Sequence, residues 1–347
     1  PMVVATDDSA GSDAPRVLYY GHYDVQPVEP LEEWEHPPFD GIVTDGPRGK
    51  RIVARGAADD KGQLMTFIEA ISAWKKVHQT LPVRVVILLE GEEECGSESL
   101  APFLTQHKDT LQADTCIVCD TGMWDEDTPA ITSRLRGLVY IEATLHGPSH
   151  DLHSGSYGGA VVNPANALAK ILGQLHDDEG CIQIDGFYDD VQEVSDEQVE
   201  QWNSLGDADA LLLESSGAKA TFGEKGYGTL ERLWSRPTCD VNGLVAGYTG
   251  EGAKTVIGAK ASAKISCRLV ANQNPEKIEK ALFAFLETRT PTGCRWDLKS
   301  YGATPAIAVP TESPWLTAAS NALTSVFPNP AVLIGTGGSI PVVGEFQ

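Results

Sequence analysis

The chain has 347 residues, 41% hydrophobic and 22% charged, with a formal net charge of −23. The length suits two domains, and no apolar run approaches the roughly 20 residues of a membrane span. So acidic a balance argues against nucleic acid and anionic membrane as partners, since both would be repelled. A soluble, cytoplasm-type protein acting on small molecules, or one adapted to salt, fits better. Seven scattered cysteines, an odd number, argue against a disulfide framework. Cys116 and Cys119 form one CxxC inside the apolar run TCIVCD, where core packing is the simpler role.

The opening PMVVATDDSAGSDAP lacks the charged and apolar regions of a signal peptide. Its closeness to the first strand suggests that sequence upstream is missing. RVLYY (16–20) predicts a buried strand, and RIVAR (51–55) another by composition. A helix follows over 61–78, with Leu64, Phe67, Ile68, Ile71 and Trp74 on one face and Asp59 or Asp60 as cap. PVRVVILLE (82–90) is a continuous apolar run of the parallel-sheet kind, a second helix is expected over 97–108, and TCIVCD (115–120) closes the series. Strands separated by helices predict a parallel α/β sheet.

From about residue 135 the texture changes. LVYIEATL (138–145) alternates, and a helix over 164–176 starts at Asn163-Pro164. TVIGAKASAKISCRLV (255–270) reads as two strands, Asn274-Pro275 opens a helix to about Glu287, and CRWDLKSY (294–301) is a last strand. Together they predict a ferredoxin-like split βαβ with a long insert over 182–253. After 303 the α/β texture returns, with a helix from Ser313-Pro314 and the strand AVLIG (331–335) running into GTGGSIP. The expected division is a catalytic domain over 1–134 and 304–347, interrupted by a small inserted domain over 135–303.

Polar groups collect where strands end. His22 and Asp24 follow RVLYY, Glu90 to Glu94 follow VVILL, Asp120 follows CIVC, and Asp59 and Asp60 precede the first helix. In open α/β sheets the ligand site lies at the carboxyl ends of the strands, and chance would scatter these groups over both ends. Crowded carboxylates repel and need protons or a cation. One imidazole among Asp and Glu oxygens suits zinc, or manganese with more oxygen. Adjacent glutamates in EGEEECGS allow one to bind metal while the next takes a proton from water.

GHYDVQP, ARGAADDKGQL, EGEEECGS, the aspartate closing CIVCD, DLHSGSYGG and GGSIPV occur in this order across nearly the whole chain. In this the sequence resembles the aminoacylase/carnosinase family of co-catalytic zinc metallopeptidases, closest to carnosinase-like cytosolic non-specific dipeptidases. The resemblance implies an α/β/α catalytic domain with a mostly parallel sheet, plus an inserted ferredoxin-like lid through which the protein forms a homodimer. It implies two zinc ions per subunit, with manganese as the alternative. His22 and Asp120 would bind the first metal, Asp59 would bridge, and Glu94 would bind the second. Glu93 would be general base and acid on the bridging water, and Asp24 would hold His22. His153, in the HSG motif, would reach a neighbouring active site to stabilise the oxyanion. Arg268 and the backbone at Gly337, Gly338 and Ser339 would bind the substrate's carboxylate. Elementary chemistry agrees, since glycines before a helix expose N–H groups to an anion and Arg can clamp it. HGPSHDLH (146–153) carries three histidines, but its Gly-Pro argues against one helical face and so against an independent metal site.

The sequence also departs from the family's pattern. No histidine lies beyond His176, whereas the family's second metal takes one downstream of GGSIP. The helical segment ahead of the first strand is missing too, so both ends look truncated, and an Arg that relatives often carry just before the glycines is absent. The function expected is a metal-dependent dipeptidase releasing a C-terminal amino acid. The alternatives are an N-acyl-amino-acid amidohydrolase on the same site and a non-catalytic binding relative.

Overall fold

The computed structural model describes residues 1–47, 49–338 and 341–346. The chain is an α/β protein that divides into two compact units, Pro1–Met123 with Val342–Gln347, and Trp124–Pro341.

The first unit is built on a four-stranded sheet. Its strands are β1 (Met2–Asp7), β2 (Arg16–His22), β5 (Arg84–Glu90) and β6 (Thr115–Val118), in the order β1-β5-β2-β6. β5, β2 and β6 run parallel, and β1 closes one edge antiparallel. The apolar run of β2 is buried on both faces, with Val17, Leu18, Tyr19 and Tyr20 at 7% exposure or less, as a parallel strand covered by helices requires. Helix α1 (Lys61–His78) has the predicted bounds. It packs on β2, where Phe67 stacks on Tyr19 with centroids 3.9 Å apart. Only Leu64 of its expected apolar face is buried, and Trp74 is exposed. The second expected helix is two short ones, α2 (Leu100–Gln106) and α3 (Lys108–Leu111), broken at His107. The strand expected at 51–55 exists as β4 (Gly49–Val53), but it pairs with β3 (Ile42–Gly46) in a separate exposed ribbon. Its charged Lys50 and Arg51 leave it too little apolar surface for a two-sided sheet.

The second unit centres on an antiparallel sheet of β8 (Gly137–His146), β10 (Thr238–Ala246), β12 (Lys260–Leu269) and β13 (Arg295–Thr304), in the order β10-β12-β8-β13. With α5 (Pro164–Leu172) after β8 and α9 (Pro275–Glu287) after β12, this is the ferredoxin-like connectivity predicted. One strand was misplaced by the sequence. The second strand is β10, inside the supposed 182–253 insert. Of 255–270 only β12 joins the sheet, because Val256–Ile257 forms the short strand β11 that pairs with β9 (Leu152–His153). A register shift between Val241 and Gly243 breaks the alternation of TCDVNGLVA, which hid the strand. Val139, Ile141, Ala143, Ile265, Cys267 and Leu269 point to one face and form the core with Leu168 and Ile171 of α5 and Ile278, Leu282 and Phe285 of α9.

A short helix α4 (Ser154–Tyr157) follows β9, and the remaining insert folds as α6 (Asp196–Asn203), α7 (Ala208–Ser216) and α8 (Thr229–Trp234). Trp202 and Trp234 pack edge to face there, with centroids 5.2 Å apart. A three-stranded sheet completes the unit: β7 (Ala130–Leu135), β14 (Ile307–Ala308) and β15 (Val332–Thr336), with α10 (Pro314–Val326) preceding β15. β15 pairs parallel with β7. That pairing draws residues 124–134 and 304–341 into the second unit, whereas the expected boundaries assigned them to the first. A last short helix, α11 (Pro341–Glu345), precedes Phe346, whose ring meets Tyr20 edge on at 5.6 Å.

Candidate metal centre

The predicted acidic groups do gather at the carboxyl ends of β2, β5 and β6. His22 is the last residue of β2, in register with Glu90, the last of β5, and Asp120 lies two residues beyond β6. Asp59 and Asp60 sit just ahead of α1. Ligand atoms of His22, Asp59 and Asp120 all lie within 4.8 Å of one another.

The imidazole is fixed from both sides. His22 Nδ1 lies 3.2 Å from the Asp24 carbonyl oxygen and 3.4 Å from Asp24 Oδ1. Its Nε2 lies 3.0 Å from Asp59 Oδ1. With Nδ1 held by Asp24, Nε2 is the ring atom turned toward Asp59, the usual way a neighbouring oxygen sets a ligating histidine. The backbone of Asp24 thus does more of the holding than the expected carboxylate. Asp24 Oδ2 instead accepts from the Glu94 amide at 3.0 Å, which ties the two strand ends together.

Asp60 is fully buried, and its Oδ2 accepts from the His22 amide at 3.1 Å. Gly21 makes this approach possible, since a β-carbon there would stand 2.9 Å from that oxygen. Sequence reading gave Asp60 only a capping role; the pairing GH…DD holds no signal that one aspartate turns inward and the other outward. Glu94 does not join the three converging groups. Its Oε2 accepts from Gln26 Nε2 at 2.5 Å.

Negative charge here exceeds what His22 can balance. Burial, then Asp120 and Glu94, push the Glu93 carboxyl up to about 7 against the pull of His22. Burial and the neighbouring Asp120 lift Asp60 to about 6, and Asp120 is raised by burial, then by Asp59 and Glu94. At His22 burial acts to lower the imidazole, but Asp120, Glu93, Asp60 and Asp59 together outweigh it and the net shift is upward. Asp24 Oδ1 and Asp60 Oδ1 are also buried without a hydrogen-bond partner among the described residues. A divalent cation fits this donor set: the imidazole nitrogen and carboxylate oxygens are of the right type, and the surplus charge is of the right sign.

The other predicted residues belong to the second unit. His153 is exposed and caps α4, accepting from the Gly155 amide at Nδ1 (3.1 Å), with Nε2 3.2 Å from Thr255 Oγ1. An accepting Nδ1 puts the ring proton on Nε2. Arg268 is half-buried on β12, across from Thr238 and Leu138. Gly337 and Gly338 follow β15, where the Gly338 amide donates to Thr336 Oγ1 at 3.3 Å. Ser339 lies outside the described residues. A residue that sequence reading missed adjoins them: the Arg136 guanidinium lies over Gly337, where a β-carbon would stand 2.8 Å from its Nη2. One arginine in SRLRG carries no sequence signal of this.

Fold and site define a metal-dependent peptidase, and comparison with known proteins agrees. Residues 18–347 match the model of peptidase family M20/M25/M40, and the chain belongs to that family of peptide-bond hydrolases. A Cys-Gly metallodipeptidase of Saccharomyces cerevisiae is 33% identical over the whole chain, which spans 73% of that protein. Human Beta-Ala-His dipeptidase is 31% identical, again over the whole chain and 68% of the relative. The solved M20 family metallo-carboxypeptidase from Sulfolobus solfataricus superposes with a TM-score of 0.83 at 35% identity, covering all of this chain and 77% of that one. The relatives' names favour the dipeptidase reading over a deacylase or a scaffold.

Proposed function

We propose that the protein is a dipeptidase that hydrolyses the peptide bond of dipeptides or short peptides and releases the C-terminal residue. The observation that carries this is the convergence of His22, Asp59 and Asp120 beside a half-buried Glu93. His22, Asp59, Asp120 and Glu94 would hold two divalent cations, zinc by ligand type or manganese by the oxygen share. Such ions, when bound, polarise a scissile carbonyl and make water acidic enough to attack near neutral pH.

The chain's own groups supply the rest. Glu93 takes a proton from the attacking water and passes it to the leaving amine, and a carboxyl near 7 is matched to that exchange. Asp24 keeps the His22 ring in one orientation. His153 donates from Nε2 to the oxyanion, exchanging Thr255 Oγ1 for the substrate oxygen, and it serves a partner subunit of a homodimer formed through the inserted domain. Arg268 with the backbone at Gly337, Gly338 and Ser339 takes the substrate's C-terminal carboxylate; the carboxypeptidase name of the Sulfolobus relative supports this. The net charge of −23 and the seven free cysteines support a cytoplasmic setting without nucleic acid or membrane partners. Among the described residues no helix is long and apolar enough to cross a membrane.

The test is hydrolysis of a dipeptide against its N-acetylated counterpart by metal-loaded protein. Release of the C-terminal amino acid from the dipeptide, slowed strongly by acetylation, supports the proposal. Preference for the acetylated compound makes the protein a deacylase, and no turnover of either overturns enzymatic activity.

A further inference from the structure

A half-buried guanidinium at the entry to β8 has no hydrogen-bond partner among the described residues. Nε and Nη1 of Arg136 are buried and make no hydrogen bond to any described residue. A buried charge left unpaired is costly, so a structural arginine would ordinarily find a carboxylate or carbonyls. Here burial first, then the like charge of Arg268, hold the group down to about 10, opposed only in part by Asp240. Asp240 is itself exposed and accepts from Thr238 Oγ1 at 3.0 Å.

Register brings the two arginines close together. Arg268 is directly opposite Leu138 on β8, and Arg136 precedes Leu138 by two residues. Side chains alternate along a strand, so Arg268 projects from the face opposite the core of Val139, Ile141 and Cys267, and Arg136, just ahead of β8, lies near enough to feel its charge. Two guanidinium groups against one aspartate leave one positive charge, the complement of one carboxylate. Below Arg136 lies Gly337, whose missing side chain makes room for Nη2, which would stand 2.8 Å from a β-carbon there.

We propose that Arg136 is the second guanidinium of the carboxylate pocket and, with Arg268, binds the free α-carboxylate of the peptide's C-terminal residue. This rests on the dipeptidase reading above and deepens it by assigning the preference for a free over an amidated C-terminus to Arg136 as well as to Arg268. The Arg136 N–H groups that have no partner among the described residues would donate to that carboxylate's oxygens.

The experiment compares kcat/KM for L-alanyl-L-alanine and its C-terminal amide in wild type, Arg136→Met and Arg136→Lys. Wild type is expected to prefer the free acid, and Arg136→Met to shrink the acid-over-amide ratio at least about tenfold, mainly through KM. Arg136→Lys should restore part of it, because charge returns without the fork. An acid-over-amide ratio unchanged in both variants overturns the proposal, as does an equal loss on acid and amide. Should wild type turn over neither peptide, the dipeptidase reading has failed, and the pocket is judged by calorimetric binding of N-acetyl-L-alanine against its amide. Binding of the acid, weakened at least about tenfold in Arg136→Lys or Arg136→Met, keeps the pocket; equal affinities in wild type and variants overturn it.

Discussion

Two regions of this molecule carry charge they do not balance, with opposite sign. At the ends of β2, β5 and β6, carboxylates outnumber the one imidazole, and Glu93, Asp60 and Asp120 are all driven upward. At the entry to β8, two arginines outnumber Asp240, and Arg136 is driven downward. Each region departs from the rule that buried charge is paired, and each departure tells the charge of what should bind: cations at the first, an anion at the second. They differ in support. The acidic group is held by hydrogen bonds among its own members, whereas Arg136 has none to any described residue.

The comparison can be broken most sharply at Glu93. Glu93→Gln should reduce kcat by about 10²–10⁴-fold while leaving metal content intact. Equal loss of metal would make Glu93 a ligand rather than a base. Asp24→Asn comes next, since it disturbs both the His22 support and the Glu94 amide. A loss of about 10–100-fold in metal affinity is expected by competition with a chelator, and an unchanged affinity would reduce Asp24 to a structural turn. Gly21→Ala should cost about 1–3 kcal/mol in denaturant unfolding, because the new methyl overpacks against Asp60.

The smallest effect sharpens the contrast with an ordinary, balanced pair. Asp7 accepts from Lys75 and from the Ser9 amide, and these bonds, that to Lys75 first, hold its carboxyl at about 2 instead of 3.8. A depressed folded-state value means the unfolded chain binds the proton first. The contribution is therefore complete above about pH 4 and lost as pH falls through about 2. Asp7→Asn should flatten the acid limb of unfolding between those values, by a small amount because the pair is partly exposed. A steeper limb in the variant would contradict the sign.

How much was legible in the sequence follows from the same contrast. His22, Asp59 and Asp120 could be read because strand runs are continuous and their ends are fixed by Gly, Pro and charge, so chain order alone placed them at one edge. The inward turn of Asp60 could not, because it depends on the bare Gly21 beneath it. β8, α5, β12 and α9 were visible by alternation and by Asn-Pro starts, whereas β10 was hidden by its bulge and by the exposed Val241, Leu244 and Val245. β15 read correctly as a strand, but its partner β7 lies some 200 residues away in sequence, a pairing no local pattern encodes. Arg136 was invisible for that reason too, since its setting is assembled from β8, β12 and the turn after β15.

The central claim is that His22, Asp59 and Asp120 hold a divalent cation, with Glu94 completing the centre. Anomalous diffraction from crystals of the zinc-loaded protein, recorded on both sides of the zinc edge, tests it directly. The account predicts one anomalous peak between His22 Nε2 and the carboxylates of Asp59 and Asp120, and a second beside Glu94. Zinc located elsewhere, or none in that group, would contradict it.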